Sequence, residues 1–377
     1  VDRWLAARDR LLASPRFHTW ALHTPIVRHI ARKRASQLFD LCAGFVYSQV
    51  LLACVRLRLL QMLEAGPRPV ESLAQQARVP PEAMRTLLHA AAALGLTQWR
   101  GGAGQCGLGV HGAALLGNPG LLPLIEHHSL LYADLQDPLA VLRGTGEAGQ
   151  LARYWAYAGA AQAGSVTQPQ VAPYSALMSA SQGLVARAIL DAFPLEGHRS
   201  LLDVGGGDGH FAAMAAARVP SLQVTCFDLE PVTQLAQARF AAAGLGERAR
   251  VVAGNFHDDA LPEGADVISL IRVLHDHGDA QALRLLRAAY TALPHGGTLL
   301  IAEPMSGRRT EARVADAYFG IYLLAMGSGK PRTPRQLLRL LETAGFRQFQ
   351  MRPTGLPMFA RVLTARRVAA NISVKPS

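Results

Sequence analysis

Lysine is nearly missing from this chain: only Lys33, Lys330 and Lys375 stand among 38 basic residues. Arginine carries the rest, a bias that a GC-rich genome produces by itself. Cysteine is scarce too. Cys42, Cys54, Cys106 and Cys226 are scattered, with no CxxC. That argues against a disulfide framework and a structural zinc site, and fits a reducing cytoplasm. The histidines lack ligand spacing, so no metal is expected. Charged residues are only 17% of the chain against 50% hydrophobic, which excludes low-hydrophobicity disorder. Glycine and proline, at 35 and 22, are too few for a collagen-like or low-complexity chain. No uninterrupted apolar run reaches the ~20 residues that span a bilayer. The best candidate, Leu38 to Val55, carries Asp40, Ser48 and Gln49. Residues from Val1 onward are broken by Asp2, Arg3, Arg8, Asp9 and Arg10 and do not read as a signal peptide. No internal repeat is evident.

What is there is long enough for two or three domains: 377 residues, against the ~250–300 at which single cores stop growing. The net charge of +11 is uneven, with +7 in residues 1–60 and +4 in the rest. A solvated face explains the basic N-terminus most simply; attraction to an anionic surface is the functional reading. Residues 1–60 look helical, with Arg28, Arg32, Lys33 and Arg34 beside Trp20, Ile26, Ile30 and Phe39. Residues 38–63 read as an apolar helix pair, too apolar for a lone surface helix. Burial in a homodimer is the preferred reading.

Residues 67–100 read as a helix-turn-helix, with Val79-Pro80-Pro81 between the helices and Gly95 ending the second. Gly101 to Gly109 would form a wing. A DNA reader needs several Arg, Lys, Asn or Gln side chains on its recognition helix. Pro81 to Leu94 offers one Arg and one Glu among alanines and leucines, so it looks built to pack and no nucleic-acid partner is expected. Residues 111–196 would be a helical connector and substrate lid, turn-rich at 144–149 and 164–173. From about 197, short apolar runs alternate with helical patterns: Ser200–Val204, Leu222–Phe227, Arg250–Ala253, Asp266–Leu270 and Thr298–Glu303, then Arg347–Met351 and Ala360–Ala365. That alternation predicts an α/β domain with a parallel sheet covered on both faces. The expected divisions are 1–110, 111–196 and 197–377.

The chemistry-bearing motif is Asp203-Val204-Gly205-Gly206-Gly207-Asp208-Gly209-His210, where the first strand of that domain meets its helix. Glycines there let backbone approach a ligand. A dinucleotide fingerprint would place a glycine at position 210. Here the pattern is Gly205-x-Gly207-x-Gly209, with Asp203 two residues before it and Asp228 at the next strand end followed by Leu229. Asp228 can accept two ribose hydroxyls. The combination points to S-adenosylmethionine rather than NAD. Asn255 and Phe256 follow the third strand, suited to an adenine edge and face. Leu274-His275-Asp276 follows the fourth, where ligands of open α/β sheets bind. There His275 would be the general base and Asp276 would orient it or cap the next helix. His277 reads as a bystander. Glu303, ending the fifth strand, could fix the imidazole tautomer.

These motifs, with Ala302-Glu303-Pro304, Arg332-Thr333-Pro334 and Ala344-Gly345-Phe346, resemble the small-molecule O-methyltransferases, the plant phenolic and acetylserotonin-type enzymes, over nearly the whole chain. The stretches Leu38–Val50 and Ala325–Thr333 resemble the carotenoid branch found in purple phototrophic bacteria. The resemblance implies a Rossmann-like class I methyltransferase domain with a seven-stranded, mostly parallel sheet, preceded by a helical winged-helix dimerisation domain. It implies S-adenosylmethionine held by Gly205, Asp228, Asn255 and Phe256, with His275 as base and Glu303 beside it. It also implies a hydroxylated acyclic carotenoid methylated at its tertiary 1-hydroxyl. Such a substrate would be taken from a membrane surface, so a cytoplasmic homodimer touching the membrane through Trp4, Phe17 and Trp20 is expected. Three positions depart from the family pattern: Asn255 replaces an Asp, Ile271 a cofactor-contacting Lys, and Pro331 a second Glu near the base. A tetrapyrrole C-methyltransferase, a phenolic or polyketide O-methyltransferase, and a cofactor-sensing winged-helix regulator are the alternatives.

Overall fold

A computed structural model describes residues 2–101, 104–118, 120–145, 147–154, 182–307 and 312–368. The turn-rich stretch expected at 164–173 lies outside them. The chain divides into two compact units, Val1–Asn118 and Pro119–Ser377. This boundary falls inside the segment expected as a connector.

In the first unit, helices Asp2–Leu12 and Pro15–His23 precede one long helix, Arg28–Arg56. The apolar stretch at 38–63 was expected to be a helix pair. It is instead the end of this 29-residue helix plus a single turn, Leu59–Met62. The break comes at Arg58, whose φ of 54° is left-handed. By length and composition alone the long helix could cross a bilayer, which corrects the sequence reading: Asp40, Ser48 and Gln49 do not lower its apolar character enough. Its outer part leaves Leu38, Phe39, Leu41, Phe45 and Val46 exposed.

Helices Val70–Ala77 and Pro81–Ala93 follow, with a small antiparallel sheet of β1 (Arg68–Pro69), β2 (Thr97–Arg100) and β3 (Gln105–Leu108) in the order β1-β3-β2. Helix Pro81–Ala93 buries Met84, Leu88 and Ala91, and its Arg85 pairs with Glu71 at 3.1 Å. The helix packs inward, as its composition suggests. Cys54 and Cys106 are buried in this core with Leu59, Leu63 and Leu73. Burial pushes the Cys54 thiol up to about 12, leaving it inert.

The second unit opens with helices Leu121–Asp134, Pro138–Arg143 and Gln150–Tyr154. Its sheet comprises β4 (Ser200–Val204), β5 (Gln223–Asp228), β6 (Ala249–Ala253), β7 (Val267–Ile271), β8 (Thr298–Glu303), β9 (Arg347–Arg352) and β10 (Arg361–Arg366). The order is β6-β5-β4-β7-β8-β10-β9, parallel except for β10, which runs antiparallel to both neighbours. Every residue of β7 and β8 is buried, as a parallel sheet covered by helices on both faces requires. Side chains alternate between the faces. Val267 and Ile271 join one core with Leu201 and Phe211; Ile268 and Leu270 join the other with Leu202 and Leu285. Strand order reverses between β4 and β7, so the loops at their carboxyl ends flank one crevice.

Candidate active site

One cleft in the second unit brings together nearly all of the residues singled out from the sequence: Gly205, Gly207, Asp228, Leu229, Asn255, Phe256, His275 and Asp276 line it. Asp203, Gly209 and Glu303 do not line it. They stand behind its wall as supports.

The glycine turn is built around missing side chains. Gly205 has φ of 67°, and a Cβ there would lie 2.8 Å from Val273. At Gly207, with φ of 60°, no atom lies within 4 Å of the Cβ position, so backbone faces open space. Helix His210–Arg218 starts from this turn. Asp228 Oδ2 accepts the Gly207 N–H at 2.8 Å and Oδ1 accepts the Leu229 N–H at 2.7 Å. Each oxygen keeps a lone pair for a ribose hydroxyl. Burial raises this carboxyl to about 6. Asp203 is 1% exposed; its Oδ1 accepts from Ser269 Oγ at 2.6 Å and its Oδ2 has no partner among the described residues. Burial, opposed by the Ser269 bond and helped by the Asp228 charge, raises it to about 7.

Asn255 is spent largely on its own loop. Its Nδ2 donates to Asp258 at 2.6 Å and its Oδ1 accepts the His257 N–H at 3.1 Å. Phe256 packs edge-on against His277, ring centroids 5.4 Å apart.

At the end of β7, Arg272 adopts φ of 58° and the chain turns into the short 3-10 segment Leu274–Asp276. His275 is held by its backbone. Its N–H donates to Glu303 Oε2 at 3.0 Å, and its C=O accepts the Lys330 N–H at 2.8 Å. The imidazole contact differs from expectation. Glu303 takes the main-chain N–H, whereas Asp276 Oδ1 lies 3.1 Å from His275 Nε2. Asp276 therefore orients the ring, and the next helix, Asp279–Ala292, starts after Gly278 without it. His275 Nδ1 has no hydrogen-bond partner among the described residues. Burial pulls the imidazole pKa down, but the Asp276 and Glu303 charges outweigh it and the net direction is up. Burial raises Glu303 as well. His277 lines the cleft, and burial lowers it to about 4.

Sequence reading missed Arg332. Fully buried, it donates to the carbonyls of Leu274 (2.7 Å) and His277 (2.6 Å) and to Asp279 (2.9 Å), clasping the His275 loop from both sides. It also missed the wall of Tyr318, Phe319 and Tyr322, of which Phe319 lies 6.0 Å from the His275 ring. The i, i+4 tyrosines were the available signal. Among the described residues, no group of three or more His, Cys, Asp or Glu could hold a metal ion.

A family model for an O-methyltransferase domain matches residues 132–347, and one for an O-methyltransferase dimerisation domain matches 39–109. The chain is 44% identical to demethylspheroidene O-methyltransferase of Cereibacter sphaeroides, over 95% of this chain and 94% of that one. It is 38% identical to the enzyme of the same name from Rhodobacter capsulatus, over 95% and 88%. Acetylserotonin O-methyltransferase of Mus musculus is 31% identical over 84% of each chain. The solved structure of human N-acetylserotonin methyltransferase in complex with S-adenosylmethionine superposes with a TM-score of 0.73 at 25% identity, covering 89% of this chain and 98% of that one.

Two predictions follow from the geometry. Arg332→Met leaves the buried His277 carbonyl without a donor among the described residues, the Leu274 carbonyl with only the His277 N–H, and Asp279 without its guanidinium, and should destabilise the fold by about 3 kcal/mol in urea unfolding. Arg332→Lys, which keeps the charge but not the fork, should recover less than half of that loss. The second concerns pH. A raised carboxyl pKa gives stability that is full below the unfolded value of 3.8 and is lost as pH rises through about 7. Without ligand, Asp203→Asn should therefore gain thermal stability relative to the parent as pH rises through about 7, the value set by burial. The two should converge near pH 4. A difference independent of pH would remove Asp203 as a buried titrating group.

Proposed function

The chain belongs to the O-methyltransferase family, and from that premise we propose that it methylates the tertiary 1-hydroxyl of an acyclic carotenoid, using S-adenosylmethionine. The observation that carries this reading is the single cleft joining the glycine turn and Asp228 to His275, with a largely apolar lining beyond. The residues present fit the cofactor. Gly207 leaves room for it, Asp203 Oδ2 is buried without a partner among the described residues, and two carboxyls raised by burial would gain from a cation nearby. When bound, S-adenosylmethionine supplies an electrophilic methyl group on a sulfonium. Asp228 would hold the ribose hydroxyls, backbone at Gly205 and Gly207 would lie along the ligand, and Leu229, Asn255 and Phe256 would flank the adenine. Asp203 and Gly209 would shape the turn from behind.

His275 takes the hydroxyl proton. Asp276 ties Nε2, leaving Nδ1 as the nitrogen without a partner among the described residues. A tertiary alcohol is a far weaker acid than a phenol, whose pKa is ~10, so the proton leaves as the oxygen attacks rather than before. Positioning at a near-attack distance of ~3–3.5 Å then supplies much of the rate. Glu303 acts through the His275 backbone.

The dimerisation-domain match supports a homodimer, with the exposed face of helix Arg28–Arg56 as its surface. The basic cluster Arg28, Arg32, Lys33 and Arg34 at the start of that helix, with Trp4 and Trp20 exposed before it, would bring a cytoplasmic enzyme to the membrane that holds its substrate. Co-sedimentation with anionic liposomes at low salt is expected, and its absence would remove the membrane from the proposal.

The deciding assay uses methyl-labelled S-adenosylmethionine and a detergent-dispersed 1-hydroxy acyclic carotenoid, with products read by mass spectrometry. One methyl gained on the hydroxyl is expected. Cofactor binding by calorimetry without transfer would overturn the substrate. His275→Ala should abolish turnover while leaving cofactor affinity unchanged. A raised imidazole pKa places the acidic limb of the rate profile above the ordinary value of 6.5. Asp276→Asn should move that limb to lower pH.

A further inference from the structure

Two adjacent histidines meet two tyrosines one helical turn apart. His127 and His128 lie on helix Leu121–Asp134, which also sends Leu121 and Leu124 into the cleft. Tyr318 lies in a single π-helical turn, Ala315–Phe319, and Tyr322 in the α-helix Gly320–Met326 that continues it. His127 Nε2 and Tyr322 Oη are 2.7 Å apart; His128 Nε2 and Tyr318 Oη are also 2.7 Å apart. π-turns are uncommon and gather at functional sites. Here the paired contacts fix the rotation of the widened turn.

We propose that Tyr318 and Tyr322, clamped by His128 and His127, form the acceptor-positioning wall of the cleft and set its preference for a long apolar alcohol. The inference rests on the alcohol-methylation reading above and names how the acceptor is chosen. Burial lowers both imidazoles, His127 to about 4, and raises the Tyr318 phenol. Each pair is therefore neutral. Phenol and imidazole satisfy one another, so the wall turns ring surface rather than unmet donors toward the cleft. Phe319 lies between the two tyrosines and carries the same surface to within 6.0 Å of the His275 ring, centroid to centroid. A hydrocarbon chain is held by shape and dispersion alone, which weaken steeply when a wall recedes. A rigid wall beside the base is what such an acceptor needs to present its terminal hydroxyl. A small polar acceptor gains little from it.

The test compares His128→Phe, Tyr318→Phe and His128→Gln with the parent. For the 1-hydroxy acyclic carotenoid, His128→Phe should raise KM about tenfold, with kcat at saturation nearly kept. Cofactor affinity by calorimetry should not move. His128→Gln, whose amide can still meet the phenol, should restore most of the KM. A small phenol assayed in parallel should change little, so the selectivity ratio falls. Tyr318→Phe preserves the ring volume and makes the same comparison should His128→Phe not fold. Carotenoid affinity is also read directly, by quenching of intrinsic fluorescence without cofactor. A carotenoid that binds the parent but gains no methyl would overturn the reaction and leave the wall standing. Carotenoid affinity and selectivity unchanged in all three variants would overturn the wall whatever the reaction.

Discussion

A buried guanidinium holds the His275 loop in place. The chain leaving β7 turns sharply; among the described residues its His277 carbonyl has no backbone donor, and its Leu274 carbonyl has only the His277 N–H at 3.2 Å. Buried carbonyls require donors. Arg332 meets both with one planar fork, anchored by Asp279. The segment preceding Arg332 passes just as close. A Cβ on Gly329 would lie 2.1 Å from the His275 carbonyl oxygen, the same oxygen that accepts the Lys330 N–H. With Glu303 on the His275 N–H, the residue is fixed at both main-chain polar groups before its side chain makes any contact. Aim of the imidazole is thus a property of the backbone, and Asp276 has only the ring left to set.

Charge is segregated along the cleft. At the glycine turn, Asp203 and Asp228 are carboxyls raised by burial to about 7 and about 6. At the other end, His127 and His128, behind Tyr322 and Tyr318, are imidazoles lowered by burial. The first environment favours a cation; the second is neutral and aromatic and favours hydrocarbon. His275 sits between them and is the exception, because Asp276 touches its ring. Binding a charged donor and an apolar acceptor in one cavity requires this kind of separation, since either environment alone would penalise one of the two ligands.

The sheet was legible because most of its strands are short apolar runs between turns or helices. The expected strand at Thr298–Glu303 coincides with β8, and Asp266–Leu270 differs from β7 by one residue at each end. The Gly205–Gly209 turn was legible because only glycine tolerates its backbone and its contacts. Elsewhere sequence spacing was insufficient. It offered Glu303 to fix the imidazole and Asp276 to orient it or cap the next helix, and only coordinates show that Glu303 takes the main chain and Asp276 the ring. Asn255 looked free for adenine, whereas Asp258 and the His257 N–H engage its amide. Residues 38–63 were expected as a helix pair, and nothing in their sequence marks where the first helix stops. The actual stop is an arginine in a left-handed conformation, which no propensity favours. The histidine–tyrosine clamps join residues nearly two hundred positions apart, and no local pattern announces them.

The upward shift of His275 suits the acceptor. A phenol can arrive partly ionised and asks little of a base. A tertiary alcohol cannot, so its proton must move during bond formation, and a stronger base then gives more assistance. Burial by itself would make the imidazole weaker. Asp276 reverses that, and it does so from 3.1 Å without exposing the site to water. Pro331 adds no carboxylate of its own to the segment that clasps the loop. The base is therefore tuned chiefly by Asp276 at its ring and Glu303 at its backbone. A stronger base helps only if the hydroxyl is already at reacting distance, and an apolar acceptor offers no charge by which to hold it there. Basicity at His275 and rigidity in the aromatic wall are consequently two halves of one requirement, the one that the proposed substrate would impose by being both weakly acidic and without polar handles beyond the group that reacts.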